Sequence, residues 1–142
     1  MAKITLELPE TFAFRAEIQV MIQHINRANH LANEHIVAFL NEARTQYCHS
    51  IDYASFGISA DQFINADLVV LYQSEAHYGD RLCIDVAAQD FSKYGCDFIY
   101  KISQKSSGKS VAIAKTAMLH FDYEQKCLSA VPSNFRDLFK ID

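Results

Sequence analysis

The densest concentration of groups able to do chemistry lies between residues 24 and 44, "HINRANHLANEHIVAFLNEAR". Three histidines (His24, His30, His35) and four asparagines (Asn26, Asn29, Asn33, Asn41) gather around the start of an apolar, helix-like stretch, with no aspartate among them. A neutral imidazole near pH 7 is a competent general base, so His30 is a candidate for proton transfer. Metal chemistry is disfavoured: His24, His30 and His35 are spaced by six and five residues and do not share one helical face. Asn26 and Asn29 also have a plain structural use, closing loop turns through bonds to backbone amides. Cys48, Cys83, Cys96 and Cys127 are far apart and form no CxxC pair. They read as small buried hydrophobes or ordinary thiols, neither zinc ligands nor nucleophiles.

The elements around this stretch follow from hydrophobic spacing. "FAFRAEIQV" (12–20) alternates, putting Phe12, Phe14, Ala16, Ile18 and Val20 on one face of a half-buried strand. A polar loop over 23–32 follows. From Asn33 the period becomes helical, with Ile36, Val37, Leu40, Ala43, Arg44 and Tyr47 on one side, to about His49 or Ile51. Asn33 is the expected N-cap, and Glu34 suits the positive end of the helix dipole. Glu34, Ala38 and Asn41 share a flank beside the apolar stripe. Four β-like segments come next: 66–76, 81–91, 96–104 and 110–123. Turn signals separate them at 78–80, 92–95 and 105–109, and a short tail runs from Pro132. Short turns predict antiparallel neighbours in a meander. One long helix against a five-stranded antiparallel sheet is an α+β, two-layer arrangement.

The whole chain, 1–142, is long enough for one domain around a single core. Its formal charge is −4 with scattered lysines and arginines, which excludes the basic stripe that nucleic-acid binding needs. No apolar run approaches the ~20 residues of a membrane span, and the first ten residues lack a signal-peptide core. A cytoplasmic location is expected.

The order of these features resembles the hotdog-fold thioesterases of the 4-hydroxybenzoyl-coenzyme A thioesterase type. Their pattern is roughly D-x-x-G-H-V-N-N-x-x-Y-L-x-x-F-E-x-A-R. His30, Leu31, Asn33, Ile36, Val37, Ala43 and Arg44 fall on it. Tyr78, Gly79, Asp80 and Leu82 match a later Y-G-D-x-L, and Phe121 with Asp122 matches the end of the last strand. The resemblance implies a hotdog fold, the sheet wrapped around the helix, and hydrolysis of an acyl-CoA or acyl carrier protein thioester. It also implies a homodimer or dimer of dimers, with sheets joined edge to edge and sites at the subunit interface. No cofactor is implied, since coenzyme A is part of the substrate.

By the same resemblance the Asn33 main-chain N–H is the oxyanion donor, where helix-terminal amides meet developing negative charge. The pattern departs at three places. Asn26 stands where the family's carboxylate stands, Asn41 at a second acidic position, and His24 at the first aspartate of the common D-T-D run. An asparagine amide can neither attack the thioester nor take a proton from water. Two schemes remain, His30 as base with Asn26 orienting it, or Glu34 acting through a water. Arg81 and Lys93 are the candidates for the coenzyme A phosphates, with Lys105 and Lys109 nearby in the hairpins. The missing aspartate favours a competing reading, a non-catalytic hotdog module that binds acyl-CoA or a lipid-like ligand. A hotdog dehydratase would need a histidine and acid pair elsewhere in the fold.

Overall fold

Alternation of Phe14, Ala16 and Ile18 with Arg15, Glu17 and Gln19 produces the first strand, β1 (Phe14–Gln19), apolar side inward and charged side to solvent. In the computed structural model, which describes residues 1–139, a short 3₁₀ turn and the polar loop lead from β1 into α1 (Asn33–His49). Residues 140–142, the end of the expected domain, lie outside the described residues. The remaining strands are β2 (Phe63–Asn65), β3 (Val69–Tyr72), β4 (Arg81–Ser92), β5 (Gly95–Gln104), β6 (Ser110–Asp122) and β7 (Cys127–Leu128).

All strand pairs are antiparallel, and the order across the sheet is β1-β4-β5-β6-β2. β3 also pairs with β6, further along it, so β2 and β3 form one interrupted edge; β7 closes on the end of β6. The sheet is therefore five positions wide, as the spacing predicts, although built from seven strands among the described residues. Residues 63–65 and 127–128, assigned to no element from the sequence, are short strands.

The predicted meander is wrong at one step. The strand expected over 66–76 is only Val69–Tyr72, and it pairs with β6 rather than with β4. The "YGD" turn is thus not a hairpin. Gly79 N–H donates to Val20 O (2.9 Å) and Val20 N–H to Asp80 O (2.8 Å), which ties the turn to the end of β1. Gln73 and Ser74 N–H groups both donate to Val111 O, which holds the start of the segment at β6. Residues 73–80 therefore cross the end of the sheet from the β3 edge to β4, beside β1.

Buried residues of α1 are Ile36, Phe39, Leu40, Ala43 and Tyr47. Phe39 lies where the sequence reading put Val37 and Arg44, which are half-buried at the flank. Packed against this stripe are Leu82, Ile84 and Val86 of β4, and Phe98, Tyr100 and Ile102 of β5. Leu40, 1% exposed, contributes about 1.5–3 kcal/mol by such burial. The tail from Pro132 folds back, and Phe135 and Phe139 join an aromatic cluster with Tyr47 and Phe98 at the far end of α1.

Candidate active site

The N-terminus of α1 is the focus of the site. Its N-cap is Ala32, not Asn33, and no side chain caps it. His35 and Ile36 N–H groups both reach Ala32 O, at 3.1 and 3.3 Å. The amides of Asn33 and Glu34 have no acceptor among the described residues. Two free donors at the positive end of a 17-residue helix make a place for an anion or a developing oxyanion. Leu31 N–H to Ala76 O (2.7 Å) and Ala32 N–H to His24 O (3.0 Å) fix this terminus against the crossing segment and the loop.

In front of it lies a pocket of about 370 Å³. One wall is Asn26, His30, Leu31, Asn33 and Ile36; the other is Tyr72 at the end of β3 with Gln73 to Ala76 of the crossing segment. The structure thus brings together Asn26, His30 and Asn33 from the sequence-predicted set. Glu34 is exposed and does not line the pocket, because one helical step of about 100° turns it away from Asn33.

Asn26 Oδ1 accepts from Ala28 N–H (3.0 Å) and His30 N–H (3.4 Å), closing the loop that contains the left-handed Asn29 (φ +66°). Asn26 therefore positions the His30 backbone, and the bond expected from Asn26 to the imidazole is not formed. The ring is held instead by Nδ1, which donates to Leu31 O (3.1 Å) in the tautomer this partner selects. His30 Nε2 is left facing Glu75, 3.7 Å from Oε1. Tyr72, on the opposite wall, donates its hydroxyl to Asn33 O (3.4 Å).

Other candidates have structural partners. His24 Nδ1 accepts from Met21 N–H (2.8 Å), and its ring meets Phe39 and His35 edge-on. Burial first, then the neighbouring His35, hold its pKa below the ordinary imidazole value, as befits an acceptor. Asn41 Oδ1 accepts from Arg44 (2.7 Å), whose other amine reaches the buried Tyr100 hydroxyl (3.5 Å). Burial pushes the thiols of Cys48 and Cys96 up, so both are poor nucleophiles.

The two phosphate candidates are separated. Arg81 opens β4 beside Asp80 and Lys105, while Lys93 follows its end, with Nζ 5.3 Å from the Tyr94 ring centre. They sit at opposite ends of a 12-residue strand, whose extended length is at most about 40 Å, which does not gather them into one phosphate cluster.

Sequence reasoning missed Tyr72 and Glu75. Both fall in "YQSEAHYGD", read as a strand running into a hairpin, where Glu75 would be an ordinary solvent-facing acid. Only the crossing over the sheet end brings them to the helix terminus.

Residues 20–139 match the thioesterase-like superfamily. The chain belongs to that superfamily. No curated protein matches the sequence. Among solved structures, a 1,4-dihydroxy-2-naphthoyl-CoA thioesterase from Synechocystis is similar with a TM-score of 0.75 at 19% identity, over 89% of this chain and 94% of that one. A thioesterase from Thermus thermophilus, complexed with coenzyme A and zinc, reaches 0.76 at 18% identity, over 92% and 95%. An aspartate-to-asparagine mutant of 4-hydroxybenzoyl-CoA thioesterase, complexed with 4-hydroxybenzoyl-CoA, reaches 0.75 at 14%, over 89% and 98%. At these identities the likeness carries the fold alone. The fold is the expected hotdog, one long helix against a curled antiparallel sheet. Among the described residues no helix is long and apolar enough to cross a membrane.

Proposed function

We propose that this superfamily member hydrolyses an acyl-CoA thioester in the pocket at the α1 N-terminus, and that it is of the 4-hydroxybenzoyl-CoA thioesterase type. The observation that carries the reading is the free amide of Asn33, a residue that lines that pocket at the positive end of the helix dipole. Hydrolysis of a thioester passes through a tetrahedral oxyanion, and each preorganised donor of this kind is worth about 10²–10³ in rate. Leu31, Ile36 and Ala76 give the acyl group an apolar wall, while His30 and Tyr72 supply polar contacts. A thioester of acyl carrier protein presents the same reacting atoms. Arg81 is the better phosphate candidate in this chain, since it follows directly from the crossing segment; Lys93 serves that role only if a second copy brings it near. Two sheet edges, β1 on one side and β2 with β3 on the other, support assembly of copies edge to edge.

A specific observation also favours a binding-only module: Asn26 has no carboxylate and spends its carbonyl on the loop. A screen of short, long and aromatic acyl-CoAs with detection of free thiol separates the two. The hydrolase reading expects thiol release well above the uncatalysed rate for at least one class. Tight acyl-CoA binding with only the uncatalysed rate across the screen would establish the module instead.

A further inference from the structure

We infer that Glu75 is the general base of this site, supplying from the crossing segment the carboxylate that position 26 lacks; the inference rests on the hydrolase reading above. Among the described residues that line the pocket, Glu75 is the one carboxylate. It faces two imidazoles, with His30 Nε2 3.7 Å from Oε1 and His77 Nε2 3.6 Å from Oε2. Both separations lie within ion-pair reach of a protonated imidazole and are too long for direct hydrogen bonds. The two rings lie on either side of the carboxylate, one facing each oxygen.

The backbone on both sides of Glu75 is held. Upstream, Ser74 Oγ donates to Ser110 O (2.6 Å), and Ser74 N–H donates to Val111 O (3.1 Å). Downstream, Ala76 O accepts Leu31 N–H, and Ala76 is 1% exposed. A carboxylate on a tethered segment, across the pocket from Asn33 and its free amide, has the placement of a base working opposite an oxyanion donor. Its side chain is 64% exposed, so water reaches it.

The step balances without any further reagent. Water oxygen adds to the thioester carbonyl carbon while the Glu75 carboxylate takes one of its protons. The carbonyl π electrons move onto the oxygen that faces the Asn33 amide. Collapse re-forms the C=O bond and breaks the C–S bond, and the Glu75 carboxylic acid returns the proton to the departing thiolate. The products are a carboxylic acid and the coenzyme A thiol. His30 and His77 are positioning residues in this scheme, and Asn26 holds the loop.

The test uses the full chain and the best acyl-CoA from the screen, comparing wild type, Glu75→Gln and Glu75→Asp by kcat and KM. Thermal melts of each variant serve as the control for folding. Glu75→Gln is expected to lower kcat by about 10²–10⁴-fold with KM changed little, the usual worth of a general base, and Glu75→Asp to recover part of that loss. Glu75→Gln with kcat within threefold of wild type, or with its whole effect in KM, would overturn the inference while leaving the hydrolase reading standing. A wild type that binds acyl-CoA yet shows only the uncatalysed rate would overturn both at once.

Discussion

Asn33→Pro should leave the fold intact and lower kcat by about 10²–10³, the cost of deleting one oxyanion donor. Proline has no N–H, so the substitution erases the amide that faces the pocket. Asn33 is the first residue of α1, a position where the fixed φ of proline fits and no intrahelical bond is lost. The residue before a proline must be extended, and Ala32 already is, at φ −69° and ψ 144°. Steady-state kinetics on the best acyl-CoA check the expectation, with circular dichroism as the control for folding. Asn33→Ala keeps the amide and should retain most of the activity. Equal activity in Asn33→Pro and wild type would remove the helix terminus from the mechanism.

Gly95→Ala carries the largest expected cost to stability. Gly95 begins β5 directly after the two-residue turn at 93–94, with φ at +156°. A Cβ there would lie 1.9 Å from Met118 O on the paired strand β6, and that neighbour is backbone, not the movable end of a side chain. The chain must shift a central strand pair or adopt strain, which costs about 3 kcal/mol or more. For a chain of this length, a thermal midpoint lowered by roughly 10 °C or more is expected. An unchanged melting curve would show that β5 and β6 do not pair in this register.

Much of this architecture was legible before any coordinates. β1, α1 and the three long strands carry apolar periods of 2 and about 3.6, and burial acts directly on those periods. Local patterns do not encode which edge a strand joins. "ADLVVLYQSEA" and the "YGD" turn look like the first half of a hairpin with β4, yet β3 bonds to β6 and the turn bonds to Val20. The partners that decide this are about forty residues away in one direction and sixty in the other. Glu75 was invisible as a site residue for the same reason. Asn33 was found for its free amide, while its role as cap went to Ala32, because the loop bonds of Leu31 and Ala32 set where the helix begins. Glu34 shares a flank with Asn41 on a helical wheel, yet the pocket opens toward the crossing segment, a direction no wheel shows.

The central claim, that the α1 terminus polarises the thioester carbonyl, is open to one spectroscopic measurement. Infrared difference spectra of an acyl-CoA labelled with carbon-13 at the carbonyl are recorded within its bound lifetime, for wild type and for Asn33→Pro. Donors aimed at the carbonyl oxygen draw electron density onto it and weaken the C=O bond. The labelled band should therefore move to lower frequency on binding to wild type, relative to water, and most of that shift should vanish in Asn33→Pro. A band that stays at its frequency in water, or moves equally in both proteins, would contradict the claim.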